Sequence, residues 1–453
     1  MDEHQSPRIQ INYLSQWPLL LIIALAVLAL LGVLLMVMLQ LKNPRAPLAA
    51  LVGATAGFQT AQIASVHIYC GAIALWLVLG VARQRTGKMR TGWPLLVIAC
   101  TALLASTALT GSMVNSKLVA VQLLLLAGTS TCLIAFGTQE EVRPFLLGLL
   151  TVTSLACVAA VAQYAGVLPY KIYLGTSRPI GFYSEPDWLG MFSATGLVIA
   201  FRSRIGWLRT PLVFLHVAVL LLAAARAAWL AVIVVTIVGY VISKVTRKTS
   251  TAEPLRGGFR MAVGAVLVIV VALTLSPKLQ DSLQARIAGA TGAQQEVGVM
   301  ARQQQNSSLM ELESQAPFNG LGLSASGRVG VSGRIAYIGQ SQNNVASNWL
   351  LGWWVDGGVF AVPIILLFLF AAARRMTSTT GLLLGTVLIS SLFSNATLIP
   401  VAWFALALCL LPLAPAARDP DAEPVGGGGA EEDADPGQVE SVERRPQAVP
   451  AAA

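Results

Sequence analysis

The sequence predicts an all-α polytopic membrane protein of about twelve transmembrane helices with one long extracytoplasmic loop. Three observations predict it. Of the 453 residues, 55% are hydrophobic and only 11% charged, where a soluble domain carries about a quarter charged residues. Apolar runs of about 20 residues, enough to cross a bilayer as a helix, recur along the whole chain. The strongly basic loops all fall on one side when successive runs are taken as alternating crossings, which is the pattern of cytoplasmic loops.

The first apolar run, Trp17 to Leu41, exceeds the ~7–15-residue core of a signal peptide and lacks a basic leader and a small-residue cleavage pattern. It is expected to be a retained anchor behind a cytoplasmic leader, residues 1–16. Spans one to nine occupy residues 17–276, at roughly 17–41, 47–82, 93–111, 117–137, 143–167, 186–201, 207–225, 227–243 and 260–276. The second is too long for one straight crossing and contains Gly53, Gly57, Gln59, Gln62 and His67, which predicts a break or a re-entrant start. Residues 277–347 form the long outer loop, rich in Gln, Ser, Gly and Asn, with a helix predicted over Gln294–Glu313. A loop of that length is functional or disordered. Spans ten to twelve follow at 348–372, 380–396 and 399–415, within residues 348–415.

With the amino terminus inside, the segments Arg83 to Arg90, Arg202 to Arg209, Lys244 to Arg260 and Arg374-Arg375 are cytoplasmic, so both termini are expected there. Lys42 and Arg45 are the exception, falling outside. Residues 416–453 form an acidic, glycine-rich cytoplasmic tail predicted to be disordered. The formal net charge is +9, and without the tail from residue 418 onward the chain carries +15. On a membrane protein that excess records topology and contact with anionic lipid. Nucleic acid is a poor partner, because the basic residues are scattered over short loops. Cys70, Cys100, Cys132, Cys157 and Cys409 all fall in apolar runs, which argues against a disulfide framework, and none has metal-ligand spacing. No cofactor is implied.

Three stretches carry candidate chemistry. The first runs from Arg178 to Gly190 and places a cation, two carboxylates (Glu185 and Asp187), two prolines and three aromatics at the mouth of a helix. Its composition fits a sugar and phosphate site, with the carboxylates as candidate bases. The plainer reading gives Asp187 a helix-dipole role behind Pro186, and makes Arg178 and Glu185 a surface ion pair. The second is Arg226, in the apolar run from Leu220 to Leu230. A guanidinium there costs a few kcal/mol and persists by snorkelling, pairing or binding an anion. Its plainer reading is an interfacial anchor beside Trp229. The third opens the tenth span, Ala346 to Gly358, and contains Asn348 and Asp356. Asp356 lies about 12 Å along the helix and is a functional candidate as an intramembrane carboxylate, or else serves helix packing through Gly357-Gly358. Upstream, Phe318 to Leu323 is a predicted turn.

The order of these motifs resembles the O-antigen ligase and O-antigen polymerase superfamily. The pattern is Arg-x-x-Gly-Phe-x-x-x-Pro-Asp-x-Leu-Gly at 178–190, then Arg226-Ala-x-Trp-Leu, then a long outer loop with Gly320-x-Gly322, then Asn348-x-x-Leu and Asp356 leading to Gly358. The resemblance covers about residues 143–415. It implies a GT-C-like membrane glycosyltransferase without a nucleotide-binding domain or an obligatory metal. Its donor would be an oligosaccharide on an undecaprenyl-type diphosphate lipid, its acceptor a glycan or lipid, and its location the bacterial inner membrane. Arg178 and Arg226 correspond to arginines expected to hold the diphosphate. Arg302 is the candidate third arginine, with Arg328 behind it. Asn348 belongs to the same substrate-binding set.

One departure stands out. Ligases of that family carry a histidine just before the asparagine at the loop exit, and here that residue is Ser347. A serine does not replace imidazole as a base near neutral pH without help. Either a carboxylate takes the proton (Glu185, Asp187, Glu311, Glu313 or Asp356), or the enzyme is polymerase-like, or it is not catalytic. His67 and His216 fall in hydrophobic spans, where structural roles are expected. The competing readings of the whole chain are a transporter or flippase of an anionic lipid or polysaccharide, and a non-catalytic assembly subunit.

Overall fold

The second apolar segment does not form one crossing. In the computed structural model, helix α1 (Arg45–Ala56) ends at a turn, a two-residue hairpin follows (β1, Gln62–Ile63, against β2, Val66–His67), and α2 (Ile68–Leu75) leads into a π-helical turn, Trp76–Val81. The chain reverses between them. Arg45 and Trp76 both meet Glu141, whereas Gly57 and Gln59 meet Tyr183 and Ser184 at the other end of the bundle. The segment 47–82, expected to break or to start as a re-entrant piece, is broken into an antiparallel pair, and Arg45 lies at the end opposite to Tyr183. The polar residues Gln59, Gln62 and His67 mark the reversal, because their side chains need partners that a straight apolar helix would not offer.

The structure describes residues 45–59, 61–63, 66–81, 92–110, 117–169, 178–203, 205–245, 297–315, 318–330, 333–335 and 346–411. All belong to one compact unit, Met1–Pro412. The expected spans 17–41 and 260–276 and the acidic tail lie outside the described residues.

The described chain is mostly helical. After α2 come α3 (Trp93–Thr110), α4 (Lys117–Phe136), α5 (Gln139–Tyr164), α6 (Pro186–Arg202), α7 (Arg209–Leu222) and α8 (Arg226–Val245). The outer loop contributes α9 (Val297–Glu313), which falls within the predicted helix Gln294–Glu313. The remainder is α10 (Trp349–Gly357), a 3-10 turn, α11 (Val362–Arg374), α12 (Thr379–Ser390) and α13 (Pro400–Leu410). Five of the described helical segments are long and apolar enough to cross a membrane: Trp93–Thr110, Val119–Phe136, Gln139–Tyr164, Arg226–Val245 and the joined Trp349–Arg374. Large apolar side chains such as Leu155, Val158, Ile233, Ile237, Leu366 and Phe370 are exposed along them. Such a surface suits lipid rather than water.

Backbones pack closely where glycine permits. A Cβ on Gly53 would lie 1.8 Å from the Phe145 carbonyl, and one on Gly148 would lie 1.8 Å from that of Ala50. The two helices α1 and α5 thus touch main chain to main chain, the close approach that small residues allow between membrane helices.

At one end of the bundle, Arg45 grips Glu141 through Nε and Nη2, both at 2.9 Å. Arg375 donates to the carbonyls of Cys409 and Leu411, and Arg202 to that of Thr377, at the same end. The opposite end carries the loop 178–185 and α9.

Candidate functional site

The loop before α6 is fixed by polar side chains from two other segments. Gln163, one residue before the end of α5, accepts from the amides of Ile180 (3.0 Å) and Gly181 (2.8 Å) and donates to the Gly181 carbonyl at 2.7 Å. Gly181 has φ +61°, a conformation that favours glycine. The Tyr183 hydroxyl donates to the Gly57 carbonyl, its ring stacks on Phe192 with centroids 4.4 Å apart, and Ser184 donates through N and Oγ to Gln59. Pro186 then starts α6 with Asp187 in its first turn, as the sequence predicts. There the negative side chain complements the helix dipole.

This scaffold presents a three-residue charge cluster. Buried Arg178 donates through Nη1 to Asp187 Oδ1 at 3.2 Å and to the Ala223 carbonyl at 3.0 Å. Arg302, from α9, donates to Asp187 Oδ2 at 2.5 Å. The Arg178 Nε is buried and has no hydrogen-bond partner. Such an atom is costly to leave unsatisfied, so it marks a place for an acceptor.

Arg226 is the first residue of α8 and half-buried. It follows Ala223 by three residues, after a break at Ala224 with φ +48°. It therefore lies at a helix start beside the carbonyl that Arg178 holds, and Trp229 donates to the Leu220 carbonyl across the same break at 2.8 Å. Glu185 sits at the α6 cap position without capping the helix through its side chain.

The remaining candidates gather around α10. Asn348 is its amino-terminal cap, accepting from the amides of Leu350 (3.0 Å) and Leu351 (3.3 Å). Asp356 is buried and accepts from the amides of Ser324 (2.8 Å) and Ser326 (2.7 Å). The turn that supplies those amides rests on the helix end. Leu321 N donates to Val355 O, Gly322 N to Asp356 O and Val359 N to Phe318 O. Gly320 (φ +70°) and Gly358 (φ +50°) allow this, since a Cβ on Gly358 would lie 2.2 Å from the Phe318 carbonyl. The packing role weighed for Asp356 is thus visible in its contacts, and the predicted turn at Phe318 to Leu323 is present. Arg328 ends the short 3-10 turn Ala325–Arg328 on this side.

Helix α9 joins the two groups. Arg302 reaches Asp187, Gln305 accepts from Ser347 N (3.0 Å) and donates to Val329 O (3.2 Å), and Glu313 accepts from the Trp354 indole at 3.0 Å. Leu309 and Leu312 bury against Val329, Ala346 and Val355. Ser347 Oγ donates to Asn306 at 3.2 Å.

Of the sequence candidates, Arg178, Asp187 and Arg302 are brought into direct contact. Arg226 and Glu185 neighbour them along the chain, and Asn348 and Asp356 belong to the α10 group. Gln59 and Gln163 escaped the sequence reading as site residues. Their signal was a side-chain amide inside an apolar run, which needs a partner wherever it is buried. His216 lies in the core between Ser154 (3.1 Å) and Cys157 (3.3 Å). His67 sits in the hairpin, 3.3 Å from Gln62. Among the described residues no cluster of three or more His, Cys, Asp or Glu side chains is arranged to hold a metal.

No protein-family model matches the chain, and no curated protein matches it.

Proposed function

We propose that the protein is an inverting membrane glycosyltransferase that polymerises or ligates glycans from an undecaprenyl-diphosphate-type donor during bacterial cell-envelope or exopolysaccharide assembly. The observation that carries this reading is the convergence of Arg178 and Arg302, 124 positions apart in the sequence, on one carboxylate at a helix start, with Arg226 opening the adjacent helix. Guanidinium groups in a water-poor site are suited to phosphate. The motif order along residues 178–358 supports the same chemistry.

The acceptor hydroxyl attacks the anomeric carbon of the donor. A new C–O bond forms as the bond to the phosphate oxygen breaks, and the lipid diphosphate leaves with the electron pair. Arg178 and Arg226 stabilise the charge that develops on it, a preorganised electrostatic contribution. Glu185 receives the hydroxyl proton as base. Asp356 instead shapes the floor under the Ser324–Ser326 turn, and Asn348 starts α10. Helix α9 covers the reacting groups and limits hydrolysis.

The Asp187 end faces the outer side of the inner membrane, and the Arg45 end faces the cytoplasm. Arg45, Arg202, Arg374 and Arg375 then all lie on the cytoplasmic side, in keeping with the charge rule, and the exception at Arg45 disappears.

Purified protein in lipid, given host undecaprenyl-diphosphate glycans, is expected to release undecaprenyl diphosphate and yield longer or transferred glycan. Arg178→Ala and Arg226→Ala should each lower the rate by on the order of 10²–10³-fold. Full transfer by both variants would overturn the site, and lipid movement without a new glycosidic bond would overturn the reaction class.

A further inference from the structure

Asp187 has both carboxylate oxygens engaged by cations from different parts of the chain. Oδ1 meets Arg178 from the preceding loop, and Oδ2 meets Arg302 from α9. The two arginines differ in setting. Arg178 is 8% exposed at its side chain and is further fixed by the Ala223 carbonyl, whereas Arg302 is 35% exposed. Arg178 also keeps one buried N–H without an acceptor. The carboxylate thus sits between two guanidinium groups where an oxyanion would sit.

Helix α9 is held unevenly. Its carboxyl-terminal half is packed through Leu309 and Leu312, both fully buried, and Gln305 is 2% exposed and hydrogen-bonded at both ends of its amide. On the amino-terminal side of Gln305, Arg302 ties the helix to the bundle through its ion pair with Asp187, and Gln304 packs against Gly333. An ion pair with one partner a third exposed exchanges partners at little net cost, whereas the packed half stays put.

We propose that Asp187 is an internal stand-in for the ligand's phosphate. It holds Arg178 and Arg302 in register while the site is empty, and it yields Arg302 to an incoming diphosphate. This rests on the reading of the arginines as a diphosphate site. Asp187 is then a positioning residue, and its charge opposes the ligand it makes room for. The arrangement keeps two like-charged arginines from repelling each other in the empty site, and it makes α9 close most firmly when a dianion replaces the monoanion.

The test is titration of the full chain in neutral-lipid nanodiscs with inorganic pyrophosphate, by calorimetry. Asp187→Asn and Asp187→Ser remove the charge but retain a side chain suited to a helix start. Each is expected to bind pyrophosphate on the order of tenfold more tightly than wild type, since a like charge facing the ligand is gone. Asp187→Glu keeps the charge and should not bind more tightly. Unchanged or weaker binding by both neutral variants, with wild-type binding intact and abolished by Arg178→Ala, would overturn the stand-in role and leave the diphosphate site standing. No pyrophosphate binding by wild type or by either neutral variant would overturn both. A helix-start role alone predicts no gain in affinity from any substitution.

Discussion

The two ends of the bundle each contain an arginine–carboxylate cluster, and they are built in opposite ways. At Glu141 every contact closes on another. The carboxylate accepts from Arg45 Nε and Nη2, from the Trp76 indole, and from Thr138 N and Oγ1, all at 2.9 Å. Arg45 also donates to the Phe136 carbonyl and lies over the Trp76 ring. The two side chains are 14% and 5% exposed. At Asp187 each arginine meets a different carboxylate oxygen, Arg302 is a third exposed, and Arg178 has an unsatisfied N–H. The first cluster is complete without a ligand. The second is a charge arrangement with an opening.

That difference sets what each cluster should do when broken. Removing one partner of a buried, fully bonded pair strands the other and costs about 3–5 kcal/mol. Glu141→Gln should therefore lower thermal stability in detergent sharply while the properly folded fraction retains its transfer rate. The arginine variants described above should do the reverse, losing rate with little loss of stability. If Glu141→Gln lowered the rate of folded protein as much as Arg178→Ala does, the contrast between a structural and a functional cluster would fail.

The local parts of this arrangement were legible in the sequence, and the distant parts were not. Pro186 and Asp187 announce a helix start because capping preferences act within one turn, and α6 begins there. The helix in the outer loop was also readable, within three residues at its start. The reversal at Gln59–His67 was half legible. The polar residues signalled a break, but two short apolar helices joined by a hairpin have the same composition as one long helix. Arg45 was misplaced for that reason alone. Asp356 shows the limit most plainly. Its sequence position says only that a carboxylate lies in an apolar helix, and its partners are backbone amides some 30 residues upstream. Arg302 entered through a resemblance, since nothing in its own surroundings points to Asp187, 115 residues away.

Asn348 offers a smaller test of the same division. Its carboxamide oxygen caps α10, and loss of such a cap costs about 1 kcal/mol. Asn348→Ala should lower the melting temperature by a few degrees, while Asn348→Asp, which retains the capping oxygen, should restore both stability and rate. If Asn348→Asp were stable but inactive, the amide would be touching substrate, and the α10 group would join the Asp187 cluster as part of one site.

The smallest effect is expected at Ser347. Its hydroxyl donates to Asn306 at 3.2 Å, and its amide, which a substitution leaves in place, donates to Gln305. A single neutral hydrogen bond of this kind contributes about 0.5–1.5 kcal/mol, at the low end for a half-buried pair. Ser347→Ala should therefore leave transfer within a few-fold of wild type if, as proposed, the proton goes to Glu185 rather than to the loop exit. Ser347→His introduces an imidazole where the ligases that the motif order resembles carry one, on a backbone already held by Gln305. A rate that rises on this substitution, and that falls as the imidazole is protonated below about pH 6.5, would show that the loop exit faces the acceptor after all. A neutral outcome for both variants would keep the proposed proton transfer at the Asp187 end, where Glu185 occupies the cap position of α6.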